Sequence, residues 1–326
     1  EFAEGEFPDI AAECDEKEMF PRDVWKKACE LGFIGVFIPE EYGGGDLGFL
    51  EHCIITEEFW RVDPGVGQAL ISTTFGSEFI LLAGTEEQKE KYLPPLPKGD
   101  AIIAGAITEP DAGSDVSSIS TTAVKDGDEY VINGNKMFIT NGTHADYIVV
   151  LCLTNPDAER LKRHSAIIVE TKEVEGLEAS EIHGKMGIRA NPTAELTFKD
   201  VRVPQENLIG KEGSGFRLLM EFFDRTRLHV AAEGVGVAQG ALEQAIEHVR
   251  NRIQFGRPIG ANQYIQFKIA EMATLVEAAR NLVYKAAWMV DNGKIDPALV
   301  SMAKYYGGMV GVRVCDDALQ LHGGYG

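Results

Sequence analysis

The period of the hydrophobic pattern changes twice along this chain, near residues 105 and 206, and so divides it into three segments. Segment 1–104 has apolar residues at helical spacing, as in "PRDVWKKACELG" and "FLEHCIITEEFW". Segment 105–205 contains short β-type runs instead, such as "YIVVLCLT" and "TAELTFKDVRVP". Segment 206–326 returns to helical spacing. The pattern therefore predicts a mainly α protein with a central β domain, divided into three domains at these boundaries.

Long helices are the strongest expectation within the last segment. Helical spacing extends over 213–253, 262–293 and 297–324, with almost no proline. Their apolar arcs are wide, and Gly and Ala recur, which is typical of helices that pack in a bundle and often in an oligomer. In the middle segment, "DGDEY" and "INGNK" predict hairpin turns.

Composition and charge exclude several classes of protein. The 326 residues are 44% hydrophobic and 25% charged, as in a globular protein with a substantial core. A net charge of −20 argues against a nucleic-acid-binding surface, and no apolar run is long enough to span a membrane. Five widely spaced cysteines without a CxxC pair indicate reduced thiols. We expect a prokaryotic cytoplasmic protein, with the mitochondrial matrix as the alternative.

Both ends of the sequence read as the interior of a longer chain. It opens on Glu1, without an initiator methionine, and stops at the glycine-rich "LHGGYG". We therefore expect further residues before the first position and after the last.

Several short patterns do not carry a function. "GVGVAQG" has no preceding strand and lacks the spacing of a dinucleotide fingerprint, and "EEYGGGDLG" lacks the Lys-Ser/Thr of a phosphate loop and reads as a connecting turn. No two of the seven histidines are four residues apart, and no GxSxG is present. The sequence predicts neither a metal site nor a Ser-His-Asp triad.

The string "ITEPDAGSD" at 107–115 follows an apolar run and combines a proline, a glycine and two hydroxyl residues. Pro110 restricts φ and Gly113 tolerates positive φ, so we expect a stiff turn. Thr108 and Ser114 then present hydroxyls, and backbone N–H groups can meet a carbonyl or a phosphate. Alone, the string could equally be an ordinary loop of a β domain.

Two further strings favour a planar ligand. In "KMFITNG", Phe138 and Thr140 are two residues apart, so on a strand they share a face that can stack on a ring and hydrogen-bond to it. In "RNRIQFGRPI", Arg252 and Phe255 could contact a pyrophosphate and an adenine-like ring. The alternative for the arginines is a cationic helix C-terminus that complements the helix dipole.

Together, "ITEPDAGSD", "NGNKMFITNG", "RNRIQFGRPI" and "LQLHGGYG" resemble the signature blocks of the flavin-dependent acyl-CoA dehydrogenases, in the same order. "FFDRTR" resembles that family's substrate-side helix, and "MGIRANPTAELTFKDVRVP" is similar to the closing strands of its β domain. The resemblance covers essentially the whole chain. It implies a helical N-terminal domain, a β-barrel-like middle domain and a C-terminal four-helix bundle, usually in a homotetramer.

The resemblance also implies FAD between the β domain and the C-terminal helices, with part of it held by a neighbouring subunit. The implied cofactor-binding residues are Ile107, Thr108, Gly113, Ser114, Phe138, Thr140, Arg252, Gln254, Phe255, Gln320, Gly323 and Gly324. The implied acyl-CoA-binding residues are Ser114, Phe223, Asp224 and Arg227.

The implied reaction is α,β-dehydrogenation of an acyl-CoA thioester, with electrons passed to an electron-transfer flavoprotein. Most family members place the base, a Glu, after the "GGYG" block, hence beyond Gly326 here; a minority place it at the position of Thr226, which lacks a carboxylate. No catalytic residue is therefore assigned, and Glu109 and Asp111 are expected to shape their loop. A flavin oxidase, a relative acting on a non-CoA substrate, and a non-catalytic flavoprotein fragment remain alternatives, and the acyl group is undetermined.

Overall fold

The computed structural model describes residues 1–326 and contains ten α-helices and ten β-strands. The helices are α1 Phe2–Glu6, α2 Ala11–Lys17, α3 Arg22–Glu30, α4 Phe49–Val62, α5 Pro64–Ile71, α6 Ser77–Ala83, α7 Glu86–Tyr92, α8 Gly215–Asn251, α9 Gln263–Asp291 and α10 Pro297–His322. The strands are β1 Ile103–Ala106, β2 Thr122–Asp126, β3 Glu129–Thr140, β4 Tyr147–Leu153, β5 His164–Glu170, β6 Leu177–Glu181, β7 Thr193–Pro204, β8 Leu208–Ile209, β9 Ile253–Gln254 and β10 Arg257–Pro258.

This element order confirms the predicted fold class, since helices come first, strands follow and long helices close the chain. The three predicted long helices correspond to α8, α9 and α10. The chain forms two compact units: Ile10–Leu47 with Gln68–Phe223, here called the sheet unit, and Glu1–Asp9 with Gly48–Gly67 and Asp224–Gly326, here called the bundle unit.

An eight-stranded mixed sheet is the centre of the sheet unit. The strand order is β6-β7-β3-β2-β4-β5-β8, and β1 pairs in parallel with β4. Period-2 alternation places Tyr130 and Ile132 of β3 in the buried core of this sheet, together with Phe198 of β7. Because β1 ends at Ala106, the 107–115 turn leaves the sheet beside β3, where Met137 N donates to Thr108 O at 2.9 Å.

The predicted hairpin turn at "INGNK" is wrong, because β3 continues through it. Gly134 lies at φ 146 within a register shift against β7, and a Cβ there would be 2.6 Å from Thr121 Oγ1. The glycine therefore serves a β-bulge rather than a turn. The turn at "DGDEY" is confirmed: Gly127 has φ 61, and β2 pairs antiparallel with β3.

Four helices share the core of the bundle unit. Cys53 of α4 is buried with apolar side chains of α8, α9 and α10, such as Leu228, Val283 and Val310. A Cβ at Gly234 of α8 would lie 2.5 Å from the carbonyl oxygen of Gly307 on α10, so only glycine permits this approach. The prediction that glycines mark close helix packing is confirmed at this position.

One stretch, Pro64–Ala83, is apolar and long enough to be a candidate membrane span by composition. However, 72% of its most apolar window is buried in the protein, and the chain there forms α5 and α6 rather than one continuous helix. A buried core segment passes the same compositional test, so the stretch is weak evidence for a span.

Candidate functional site

A cavity of about 270 Å³ lies in the sheet unit, where the 107–115 turn meets the end of β3. It brings together six of the residues proposed from the sequence, which are Ile107, Thr108, Gly113, Phe138, Thr140 and Phe223. Its other lining residues are Phe75, Gly105, Val116 and Ile139. Residues far apart in the sequence thus converge on one space with aromatic, aliphatic and hydroxyl groups.

Phe138 presents its ring to this space through an unusual backbone conformation. Its φ is 60, and the register between β3 and β7 shifts between Lys136 and Ile139. Left-handed backbone is uncommon for a bulky residue and is often retained at functional sites. The side chain is left 64% exposed, whereas neighbouring Ile139 is buried. Phe138 and Thr140 do line the same cavity, although through a bulge rather than through regular strand alternation.

The 107–115 turn is closed by backbone hydrogen bonds. Glu109 N donates to Ala112 O at 3.0 Å, and Ala112 N donates to Glu109 O at 3.2 Å. The expectation that Gly113 contributes a positive φ is wrong, because its backbone lies outside the left-handed region. The Glu109–Ala112 bridge supplies the tight closure instead.

Glu109 is buried in an ion pair with Lys136. The Lys136 ammonium donates to Glu109 Oε1 at 2.9 Å, to Ile107 O at 3.0 Å and to Leu151 O at 2.8 Å. Burial opposes ionisation of Glu109, but the charge of Lys136 and hydrogen bonds from Ser120 and Thr121 outweigh it and hold its pKa at about 2. Glu109 is therefore a fully engaged carboxylate and cannot accept a substrate proton at neutral pH.

Ser114 lies on the exposed outer part of the turn and is not part of the cavity wall. The next residue, Asp115, accepts from Ser117 N at 3.2 Å and pairs with Arg160 at 2.8 Å. Ser114 is exposed and directly follows Gly113, which lines the cavity, and its role in binding stays a prediction.

The remaining proposed cofactor-binding residues lie in two segments of the bundle unit. Arg252, Gln254 and Phe255 lie on the exposed hairpin of β9 and β10, while Gln320, Gly323 and Gly324 lie at the end of α10. The Arg252 guanidinium lies 5.7 Å from the centroid of the Tyr325 ring. The "RNRIQFGRPI" and "LQLHGGYG" blocks are therefore neighbours in space.

The "FFDRTR" residues lie on α8. Asp224 accepts a hydrogen bond of 3.0 Å from Arg227, in an ion pair between adjacent turns of the helix. Thr226 is 3% exposed and offers no carboxylate. Asp224 and Arg227 belong to the bundle unit and Phe223 to the sheet unit, so the substrate role of the three residues stays a prediction.

Lys136 and Glu233 are buried ionisable residues that were not predicted from the sequence. Lys136 lies on the same inward face of β3 as Tyr130 and Ile132, at even-numbered spacing from both. This period-2 pattern could have predicted its burial. Glu233 is buried on α8, where burial raises its pKa to about 8 and the charge of Lys304 only partly opposes the shift. Nothing in the local sequence distinguishes Glu233 from a surface glutamate of a helix.

The cavity residues fit the ring portion of a flavin. An exposed aromatic side chain, Phe138, can stack on a flat ring, and the Thr108 and Thr140 hydroxyls can donate or accept hydrogen bonds at its edge. A Cβ at Gly105 would already lie 3.3 Å from the Phe75 ring, so a side chain there would crowd the wall of the cavity. The volume is slightly below the ~300–1,000 Å³ typical of complete ligand pockets, so the cavity suits part of a dinucleotide rather than the whole.

Comparisons with known proteins agree over the whole chain. Family models for the N-terminal, middle and C-terminal domains of acyl-CoA dehydrogenase match residues 1–100, 104–201 and 213–326. The acryloyl-CoA reductase (NADH) of Anaerotignum propionicum is 44% identical over 328 residues, which cover 100% of this chain and 83% of the relative.

Two solved structures show the same fold. Butyryl-CoA dehydrogenase from Megasphaera elsdenii superposes with a TM-score of 0.95 at 39% identity, over 99% of this chain and 85% of that one. A chain in a structure described as the electron transferring flavoprotein of Acidaminococcus fermentans gives 0.96 at 43% identity, over 99% and 85%.

Proposed function

Because this chain belongs to the acyl-CoA dehydrogenase family, flavin-linked oxidoreductases that act on CH–CH bonds, we propose that it binds FAD and oxidises an acyl-CoA thioester to the 2-enoyl-CoA. The observation that carries this proposal is the cavity in which Phe138, Thr140 and Thr108 converge at the exits of β1 and β3. A bound flavin would supply the hydride acceptor, while the protein supplies alignment and exclusion of water.

The cavity residues have distinct roles in this proposal. Phe138 stacks on one face of the ring, and Thr140 and Thr108 hydrogen-bond to its edge. Ser114, exposed beside the cavity, contacts the phosphate arm or the CoA ester. The adenosine and pyrophosphate portion is assigned to two segments that approach each other at Arg252 and Tyr325, since together they offer cationic, aromatic and glycine positions. The assigned residues are Arg252, Gln254, Phe255, Gln320, Gly323 and Gly324.

The reaction removes a proton from the α carbon and a hydride from the β carbon. The α C–H of a thioester is a weak acid, so fixed donors must stabilise the enolate oxygen in a dry site. Aromatic and aliphatic side chains such as Phe75, Ile107 and Phe223 make most of the wall, which limits its capacity to hydrogen-bond water. Neither Glu109, which is fully engaged with Lys136, nor Thr226 is assigned the proton transfer.

The proposal extends to the electron acceptor, the oligomeric state and the location of the protein. We propose an electron-transfer flavoprotein as the acceptor, supported by the 43% identity to a chain in a structure of that class of protein. We also propose a cytoplasmic homotetramer, supported by the bacterial sources of the relatives and by exposed apolar side chains on α9 and α10.

The test is anaerobic reduction of the reconstituted flavoprotein by a panel of straight, branched and alicyclic acyl-CoA esters. We expect at least one ester to bleach the visible flavin absorbance and to yield its 2-enoyl-CoA. A preparation that holds FAD but remains oxidised with every ester would overturn the proposed reaction. Oxygen consumption without an acceptor protein would favour an oxidase instead.

Reduction of an enoyl-CoA is a second candidate, because a relative with 44% identity is named as an acryloyl-CoA reductase. The same residues would align the substrate. A bound flavin, already reduced, would supply the hydride for the β carbon, and the α carbon would take up a proton. Faster turnover of the chemically reduced protein with acryloyl-CoA than of the oxidised protein with propionyl-CoA would favour this direction.

A further inference from the structure

The Lys136–Glu109 pair ties the 107–115 turn to the sheet through several independent contacts. Two of the three acceptors of the Lys136 ammonium, Ile107 O and Glu109 Oε1, belong to the turn, and the third, Leu151 O, belongs to β4. The adjacent residue Met137 donates its N–H to Thr108 O at 2.9 Å. Lys136 and Met137 of β3 thus hydrogen-bond to the carbonyl oxygens of Ile107 and Thr108. Ile107 and Thr108 both line the cavity.

Every hydrogen-bonding position of the pair is occupied. An ammonium has three donors, and Lys136 uses all of them. The Glu109 carboxylate accepts at four positions: Oε1 from Lys136 Nζ and Thr121 N, both at 2.9 Å, and Oε2 from Ser120 N and Ser120 Oγ, both at 2.8 Å. Lys136 is fully buried and Glu109 is 5% exposed. Neither side chain can therefore rotate without breaking several bonds at once.

Stability alone is a poor reason for this arrangement. Removing two charges from water is costly, and well-packed apolar side chains of similar volume often give equal or greater stability. Apolar side chains, however, do not fix the direction of a backbone carbonyl, whereas a saturated ammonium does. What the pair adds is the orientation of the turn at one edge of the cavity.

We propose that Lys136 and Glu109 are positioning residues, which lock the 107–115 turn against β3 in the geometry that binds the flavin ring. The inference rests on the proposed function, because it assigns these residues to the same site. Neither residue lines the cavity; each acts through Ile107 and Thr108. Phe138, which is proposed to stack on the ring, follows Lys136 by two residues on β3. Lys136 therefore connects the strand that carries Phe138 to the turn that carries Thr108.

The decisive variant is the double substitution Lys136→Met with Glu109→Gln. The single Lys136→Met change leaves a buried carboxylate without its cation, which is strongly destabilising. In the double variant the buried charges of the pair are removed, and the single Gln oxygen can still accept from Ser120 N and Oγ, whereas Thr121 N loses its acceptor. The matched control is Lys199→Met, which removes an exposed lysine of β7 whose Glu178 partner is 4.0 Å away.

Three quantities would be measured on each purified protein: the urea midpoint, the dissociation constant for FAD, and the visible spectrum and reduction potential of bound flavin. We expect the double variant to unfold cooperatively at a lower urea midpoint, because Ile107 O and Leu151 O lose their buried donor. We also expect it to bind FAD at least tenfold more weakly than this loss of stability accounts for. Its flavin spectrum and potential should also shift, although the net charge of the pair is unchanged. The control should match the wild type in all three.

Either of two results would overturn the inference. One is a folded double variant whose FAD affinity and flavin spectrum equal those of the wild type. The other is loss of FAD only in proportion to a lowered urea midpoint, which would make the pair a part of the fold and nothing more. Failure of the wild type itself to bind FAD would instead refute the proposed function, so the two failures are distinguishable.

Discussion

At the level of single residues, Phe138 illustrates how the site departs from regular strand geometry. A regular strand would place its ring by alternation alone, but the bulge before Ile139 and the φ of 60 leave it exposed at the cavity instead. Backbone strain of this kind costs on the order of 1–3 kcal/mol and persists only where surrounding structure enforces it. We interpret the strain as the means by which an aromatic ring is presented to a flat ligand.

Replacing Phe138 by alanine should therefore weaken FAD binding without unfolding the protein. Loss of ring stacking is worth about 0.5–1.5 kcal/mol, or roughly two- to tenfold in the dissociation constant. The control is Leu161→Ala, which truncates another exposed apolar side chain of the sheet unit. Fluorescence titration with FAD measures both, and equal affinities for the two variants would contradict the stacking role.

Glu233 gives a second prediction at this scale. Its pKa is raised by burial to about 8 from 4.5, and Oε1 has no hydrogen-bond partner in the structure. Between pH 4.5 and about 8, Glu233 is protonated in the folded protein but ionised in the unfolded chain. Because the unfolded chain binds fewer protons in this window, Glu233 makes stability fall as the pH rises through it.

The variant Glu233→Gln mimics the neutral acid and should gain stability over the wild type as the pH increases. We expect little difference near pH 4.5 and a gain on the order of a few kcal/mol near pH 8. The buried His229 has its pKa lowered by burial to about 4, which makes both proteins less stable as pH falls from 6.5, so the difference between them is the relevant quantity. Urea unfolding at both pH values measures it; a gain independent of pH would contradict the assignment.

At the level of secondary-structure elements, α4 begins with a cap supplied from a distant helix. Asp291 of α9 accepts from Phe49 N at 2.7 Å and from Leu50 N at 3.0 Å, the first amides of α4. A Cβ at Gly48 would lie 2.3 Å from this carboxylate, so glycine makes room for the cap. The carboxylate thus satisfies amides that a helix cannot pair internally.

Asp291→Ala should destabilise the protein by about 1 kcal/mol, which is the usual cost of losing an N-cap side chain. Asp291→Asn keeps one acceptor oxygen and should lose less, because one of the two hydrogen bonds persists while the other and the charge interaction with the helix terminus are removed. Thermal unfolding of both variants provides the measurement. Equal losses for Ala and Asn would show that the hydrogen bonds contribute nothing.

The sequence predicts these elements unevenly, for physical reasons. The long helices α8, α9 and α10 follow directly from sustained helical spacing, and "DGDEY" is a turn as its glycine suggests. The turn expected at "INGNK" is a bulge, because the backbone of Gly134 packs against Thr121, the residue before β2, and this contact is not visible in the local sequence. In the site, Phe138 and Thr140 line one cavity as expected, but they do so through a bulge that local spacing does not predict. The Lys136–Glu109 pair joins residues 27 positions apart.

At the level of the whole molecule, α10 carries an exposed apolar stripe. Met302, Tyr305, Met309 and Val312 recur at spacings of three and four residues, so they lie on one face of the helix, and each is exposed. A contiguous exposed apolar face of this kind is typical of an association surface. The stripe agrees with the proposed homotetramer.

The variant Val312→Glu should therefore reduce the mass of the assembly in solution, because it places a charge in the stripe. Val124→Glu is the matched control: it makes the same substitution at another exposed valine, on β2 of the sheet unit. Light scattering after size-exclusion chromatography measures the mass. We expect four copies for the wild type and the control and fewer for Val312→Glu; a monomeric wild type would contradict the proposed assembly.

The central claim is that the sheet unit holds a flavin ring in the cavity formed by the 107–115 turn and the end of β3. Equilibrium titration of the purified apoprotein with FAD tests it most directly. The account predicts saturable uptake of one FAD per chain, with a visible spectrum shifted from that of free flavin and a weaker affinity in Phe138→Ala. A folded protein that stays colourless and takes up no FAD would contradict it.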